Sequence, residues 1–417
     1  MTDLYAANTI STFWGLPPDL PHEVLSAAIE EAAPLLPGGR EIVRQRGWDG
    51  LVAYILGEGQ FGPNHWRLSR ARRLYYALRP VLPAQARPLL RGLLRRKREN
   101  AFPLGWPVED RYVRFLYAAL MAVQRRCTGV QPQPFWPSRA RFAFVITHDV
   151  ESSAGQSFVP ALAGVDERYG FRSSFNFVPE GYRVDHGLIA ELQARGFEVG
   201  VHGLKHDGGL FSSRAEFERR AERINRYLRA WGAVGFRAPF THRHPEWMQS
   251  LEIEYDLSFF DTDPFETIPG GTMSIWPFFC GRFVELPYTL AQDHTLFETG
   301  NGARLWLDKV DFIAEWGGMV LVNAHPDYLR DPARLAVYEE FLQHLAQRTR
   351  RVEPHGAPAC WHALPRDVAR WWRQRAGLLQ KQDVDQRTPG SSGSVDAVSG
   401  KSHVTPPEDQ THEHSLR

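Results

Sequence analysis

From Pro137 onward, short runs of aromatic and β-branched residues alternate with longer stretches of helical periodicity, and this alternation constrains the fold more than any other feature of the 417-residue chain. The runs are FAFVITHD (142–149), SSFNFVP (173–179), FEVGVHG (197–203), GFRAPF (235–240), DLSFFD (256–261), FVELPY (283–288) and GMVLVNAHP (318–326). Between them lie helix candidates such as HGLIAELQARG, SRAEFERRAERINRYLRAWG, GARLWLDKVDFIAEWGG and DPARLAVYEEFLQHLAQRTR. N-terminal signals stand at Ser212 or Ser213 and at Asp331 ahead of Pro332. Strands separated by helices pair in parallel through crossovers, which implies α/β architecture: an α/β barrel or a doubly wound sheet.

The flanks read differently. Residues from about 20 to 125 are mainly helical in pattern, so 1–135 forms an N-terminal helical region ahead of an α/β domain over 136–379. Residues 380–417 are poor in aliphatics and free of aromatics, which predicts a disordered tail. Forty-nine Lys plus Arg nearly balance 48 Asp plus Glu, a net charge of +1 that excludes nucleic-acid binding driven by overall charge. That balance conceals a basic segment, 67–98, which holds no acid and whose leucines fall near helical spacing. It reads either as solvated helix faces or as peripheral contact with an anionic membrane surface or a pyrophosphate-linked glycan carrier. No secretory signal or run of about 18 apolar residues is evident, so the expected location is cytoplasmic, with or without membrane contact. Cys127, Cys280 and Cys360 stand far apart, which supports neither a disulfide framework nor a zinc knuckle; a bound metal would need other ligands.

In a parallel sheet, sites form at the carboxyl ends of strands, and here those ends carry polar residues. The first gives Thr147, His148, Asp149 and Glu151, the third His202 and His206, the fourth Arg237, the fifth Asp261 and Asp263, and the last His325 and Asp327. Asp149 and Glu151, two apart, emerge on one face if the strand persists, although an isolated DxE is more often a cap or a loop ion pair. His202 and His206 form an HxxxH, a spacing that suits a divalent metal. Two imidazoles with one carboxylate make a catalytic zinc shell, and their joint occurrence at successive strand ends favours metal. Arg237 is suited to pairing with a buried carboxylate, with Asp149 the obvious partner, and His325 titrates in the range a general acid needs.

These residues carry a resemblance to the polysaccharide deacetylase family, of the carbohydrate esterase family 4 type, over about residues 140 to 350. Thr147-His148-Asp149-Val150-Glu151 resembles the family's first motif, usually TFDD, in the DxE form of a divergent branch that moves the metal carboxylate one residue along. His202-Gly203-Leu204-Lys205-His206 is similar to the metal-binding histidine motif, Phe236-Arg237-Ala238-Pro239-Phe240 to RxPY, and Val322-Asn323-Ala324-His325 to the last motif, LxH. The resemblance implies a distorted (β/α) barrel of about seven parallel strands. It also implies a general base at Asp149, metal ligands at Glu151, His202 and His206, an orienting Arg237 and a general acid at His325. The implied cofactor is a divalent ion, zinc by preference, and the implied reaction is removal of an acyl group, acetyl in the common case, from an N-acylated sugar of a glycan or lipid-linked precursor. The alternatives are an amidase acting on a small non-sugar amide and an inactive glycan-binding barrel. Val150 stands where the common motif has its metal-binding Asp, Phe240 removes a tyrosine hydroxyl, and Asn323 replaces a leucine that helps wall the acetyl pocket. Asp261 and Asp263 lie at the looser fourth motif, as substrate contacts or loop caps; Trp276 would stack on a sugar ring or belong to the core.

Overall fold

The computed structural model describes residues 4–63, 65–66, 102–353 and 356–377, which fall within one compact unit, Met1–Leu379. The basic segment 67–98 and the expected tail 380–417 lie outside the described residues. Among the described residues, no helix is long and apolar enough to cross a membrane.

Nine strands form one curled sheet: β1 (Phe142–Val150), β2 (Ser174–Phe177), β3 (Glu198–His202), β4 (Gly235–Arg237), β5 (Tyr255–Asp256), β6 (Phe278–Cys280), β7 (Phe283–Glu285), β8 (Met319–Ala324) and β9 (Cys360–His362). The order is β6-β7-β5-β4-β3-β2-β1-β8, with β9 paired to the first residues of β1. Every pair is parallel except the β6–β7 hairpin, as crossover helices demand. The chain after β7 then approaches β8, where the N–H groups of Thr289 and Leu290 both donate to the Leu321 carbonyl at 3.2 Å. The result is the distorted α/β barrel that the alternation and the motifs imply.

All seven expected runs contribute a strand, and β6 and β9 are additions of three residues each, too short to show a period. The run 256–261 is the exception in length, since only Tyr255–Asp256 pairs regularly. Its cause is local: Asp256 accepts from the Ser258 N–H at 3.1 Å and from its hydroxyl at 2.8 Å, a side-chain turn that competes with the ladder. Helices cover the outside of the sheet. Ser152 caps Ser153–Arg168, Ser213 rather than Ser212 caps Arg214–Trp231, and Asp331 caps Pro332–Thr349, each through a side-chain oxygen.

Two of the ties between the N-terminal region and the barrel show how they are joined. Asn8 treats the edge strand β6 as a partner would, donating Nδ2–H to the Phe279 carbonyl at 2.8 Å and accepting the Phe279 N–H at 2.7 Å, which covers an otherwise open edge. Further along, Glu58 forms a buried ion pair with Arg243, accepting from Nε at 2.8 Å and from Nη2. Glu58 also accepts the Gly271 N–H at 2.8 Å, and the guanidinium lies 4.5 Å from the Phe260 ring centroid. Removing one member of such a pair leaves a charge without its counter-ion in an apolar setting. Glu58→Ala is therefore expected to destabilise the fold by about 3–5 kcal/mol in urea unfolding. The same truncation at Asp308, in the exposed pair with Arg304, is expected to cost at most about 1 kcal/mol. Equal losses for the two would contradict this account.

Candidate active site

Strand parity assembles the site. Thr147 and Asp149 face the interior of the sheet, and Glu151, two residues on, joins them. The intervening residues face the helical layer: His148 lies 3.0 Å from Asp166 and packs on Tyr338, and Val150 is fully buried. Val150 is thus directed away from the interior, and the carboxylate that stands beside His202 and His206 is that of Glu151. Register does the rest, because Asp149 sits opposite Asn176 of β2, Thr147 opposite Asn323 of β8, and His202 of β3 opposite Arg237 of β4.

Glu151, His202 and His206 present ligand atoms that all lie within 4.8 Å of one another. Glu151 Oε1 is 3.0 Å from His206 Nε2 and 3.7 Å from His202 Nε2. His202 Nδ1 lies 3.1 Å from the Arg237 carbonyl, which can only accept, so Nδ1 carries the proton and Nε2 a lone pair. That Nε2 is buried and has no hydrogen-bond partner. An imidazole held by a carbonyl, with its other nitrogen unpaired among a second histidine and a carboxylate, is a donor set that fits a divalent cation. Burial opposes ionisation of Glu151, but the contact with His206, aided by His325, outweighs it and holds the carboxyl well below its ordinary range.

Beside these groups Asp149 is almost fully buried. Its Oδ1 accepts from Asn176 Nδ2 at 3.0 Å, and its Oδ2 accepts from Asn323 Nδ2 at 2.9 Å and Arg237 Nη1 at 3.3 Å. Arg237 braces itself through Nη2, which donates to Thr147 Oγ1 at 3.1 Å. Burial alone would raise the Asp149 pKa; the Arg237 guanidinium, aided by His325, overrides it and holds the carboxyl ionised, below its usual value. His325 follows β8, with Nε2 3.7 Å from Glu151 and 3.9 Å from Asp149. Asp293 accepts both the His325 backbone N–H and its Nδ1–H, each at 2.7 Å, fixing the ring from behind. Burial disfavours the imidazolium, yet Asp293, aided by Glu151 and Asp149, pushes its pKa up to about 10.

The catalytic candidates Asp149, Arg237 and His325 and the ligand candidates Glu151, His202 and His206 are therefore brought together. Asp261, Asp263 and Trp276 are not. Asp261 is buried in an ion pair with Lys309 at 2.7 Å, and burial raises its pKa to about 6 although Lys309 opposes this. Asp263 is buried, accepts the Phe265 N–H at 2.7 Å, and is pushed up in pKa by burial and by Glu266. Trp276 donates its indole N–H to the Gly317 carbonyl at 2.9 Å and packs on Phe13 and Phe135 in the core. Asp263 thus takes the loop-capping alternative and Trp276 the core alternative, while Asp261 is engaged by Lys309. Asn323, which stands in place of the family's leucine, donates to Asp149. Phe240 backs the ligand set, its ring centroid 4.2 Å from that of His206. Asn176 and Asp293 escaped the sequence reading because one stands within a strand run and the other after a loop; Asp293 alone left a trace, as an acid opening the helix Asp293–Glu298. Asp293, His294 and His325 also lie close enough to share a cation, but there the short Asp293–His325 hydrogen bonds already satisfy the carboxylate.

A raised histidine pKa stabilises the folded state fully below the ordinary value, near 6.5, and that contribution is lost as pH rises through the folded value of about 10. In the metal-free protein, the stability advantage of wild type over Asp293→Asn is expected to shrink between those two pH values, read by denaturant unfolding. An advantage that stays constant or grows across the window would contradict the assignment.

No protein-family model matches the chain, and no curated protein matches it. Solved structures do. A structure described as a putative polysaccharide deacetylase from Mycobacterium smegmatis shares 17% identity at a TM-score of 0.45, over 58% of this chain and 93% of that one. A probable polysaccharide deacetylase from Pseudomonas aeruginosa PAO1 shares 17% identity at a TM-score of 0.46, over 60% of this chain and 96% of that one. The Puue allantoinase shares 16% identity at 0.44, over 58% and 94%. The chain is similar to solved structures of polysaccharide deacetylases, the family its motifs resemble.

Proposed function

We propose that the chain is a metal-dependent hydrolase that removes an acyl group from an N-acylated sugar of a glycan or glycan precursor. The observation that carries the reading is the unpaired, buried Nε2 of His202, placed with Glu151 and His206 beside an ionised Asp149 and an oriented His325. Glu151, His202 and His206 would hold the cation. Two nitrogens and one carboxylate oxygen suit zinc, which when bound supplies Lewis acidity toward an amide carbonyl and makes water a better nucleophile. Asp149 accepts the proton of the attacking water, with Arg237 holding its plane and charge. As the carbon–oxygen bond forms and the carbon–nitrogen bond breaks, His325 Nε2 gives a proton to the departing amine, and Asp293 stabilises the imidazolium before that transfer. The products are an amino sugar and a carboxylate.

The exposure of the site supports a substrate whose bulk stays outside. Among the described residues, Asp149 and His325 are almost wholly buried, whereas the Glu151 and His206 side chains are 26% and 21% exposed. A pendant acylamino group can enter from that side, as on a sugar chain. The sugar itself rests on the motif resemblance.

The test is metal content and acyl release on a panel of acetamido sugars, free and lipid-linked. The zinc-loaded wild type is expected to release acyl groups, and Asp149→Asn is expected to retain its metal while losing about 10²- to 10⁴-fold in rate. His206→Ala is expected to lose most of its metal affinity. Stoichiometric metal with no acyl release anywhere on the panel would overturn the enzyme reading, and unchanged metal content in His206→Ala would overturn the ligand set.

A further inference from the structure

Behind Asp149 runs a chain of buried side-chain amides that joins it to a second buried carboxylate, Glu266. Asn323 has two amide hydrogens, and both are engaged: Nδ2 donates to Asp149 Oδ2 at 2.9 Å and to Gln292 Oε1 at 2.9 Å. Gln292 in turn donates Nε2–H to Glu266 Oε1 at 2.6 Å. Asn323, Gln292 and Glu266 are all buried, so no solvent competes for these bonds. A carboxylate only accepts. Glu266 therefore requires Gln292 to present its nitrogen, which leaves Gln292 Oε1 to accept from Asn323; at the other end Asp149, also an acceptor only, and the Thr147 hydroxyl, 3.0 Å from Asn323 Oδ1, require the same orientation of Asn323. If either amide were flipped, oxygen would face oxygen in the interior, and at Asn323 that oxygen would face the Asp149 carboxylate.

The second oxygen of Glu266 serves the other half of the site. Oε2 lies 2.9 Å from the Thr241 hydroxyl, and the Thr241 carbonyl accepts from Arg243 Nη1 at 2.9 Å. Phe240 and Thr241 have consecutive left-handed backbones, φ +58° and +54°, which non-glycine residues adopt only where surrounding contacts enforce it. The turn so held is the one that lays the Phe240 ring against His206. One buried carboxylate thus reaches Asp149 through two amides and His206 through a strained turn.

We propose that Glu266 is a positioning residue that couples the base Asp149 to the candidate metal ligand His206. The inference rests on the hydrolase reading for the roles of those two groups. Its test uses Glu266→Gln, the exchanged pair Glu266→Gln with Gln292→Glu, and Thr241→Val, each loaded with cobalt(II) for visible absorption and with zinc for kinetics. Glu266→Gln is expected to lower kcat by about 10- to 100-fold with KM little changed and to shift the cobalt spectrum. In the exchanged pair, the carboxylate now at position 292 can accept from Asn323 and from the amide now at position 266. The oxygen of that amide still accepts from Thr241, so both readouts are expected to return toward wild type. Thr241→Val leaves the amide branch intact and removes the hydroxyl's contacts with Glu266 and with the Phe240 carbonyl; it is expected to shift the cobalt spectrum, and it decides the matter if Glu266→Gln does not fold. A wild-type kcat and cobalt spectrum in Glu266→Gln, an unshifted spectrum in Thr241→Val, or an exchanged pair as impaired as the single variant would overturn the proposal. Should the wild type bind cobalt but release no acyl group, the hydrolase reading fails, while the spectra still decide the coupling; a wild type that binds no cobalt overturns both.

Discussion

A carboxylate charge inside a curled sheet is tolerable only where it is compensated, and Asp149, 2% exposed, is the charge around which this interior is organised. Arg237 crosses from β4 to meet it, Asn176 and Asn323 approach from the strands on either side, and Thr147 braces the guanidinium. Asn176 and Asn323 occupy register positions on the two strands paired to β1, and Arg237 reaches across the interior from β4, so the curl of the sheet and the compensation of the charge are one arrangement. Even Gly200 belongs to it, since a Cβ there would lie 2.1 Å from the oxygen of Asn176. The ionised base that the proposed chemistry needs follows from this neighbourhood.

The second level of organisation lies outside the strands. His325 is oriented by Asp293, and the Phe240–Thr241 turn is held on one side by Glu266 and on the other by Arg243, itself neutralised by Glu58 of the N-terminal region. The helical layer is thus more than a cover for the barrel: it supplies the counter-ion for a residue that shapes the turn beside His206. A buried ion pair adds little net stability over an apolar substitute, so its value here is in the geometry it enforces.

The strand ends were legible because they combine two strong signals, an apolar run and an abrupt cluster of polar residues. Asp149 and Glu151 could be placed on one face from their spacing alone, and the structure shows the reason, strand parity sending His148 and Val150 to the helical layer. What the sequence could not convey was partnership across the fold. Asp261 and Asp263 look like site acids when read along the chain, yet one meets Lys309, 48 residues away, and the other is withdrawn into the interior. Asn323 reads as a departure from a family pattern and proves to be a hydrogen-bond donor to the base. Asn176, Gln292 and Glu266 bear no local mark of their roles, because those roles exist only through contacts between distant segments.

The central claim is that Glu151, His202 and His206 together hold a divalent cation, and X-ray absorption on the zinc-loaded protein addresses it most directly. The account predicts a coordination shell of nitrogen and oxygen alone, at about 2.0–2.1 Å, with the multiple-scattering signature of two imidazoles. A sulfur contribution near about 2.3 Å, a shell without imidazole, or a protein that retains no zinc would contradict it.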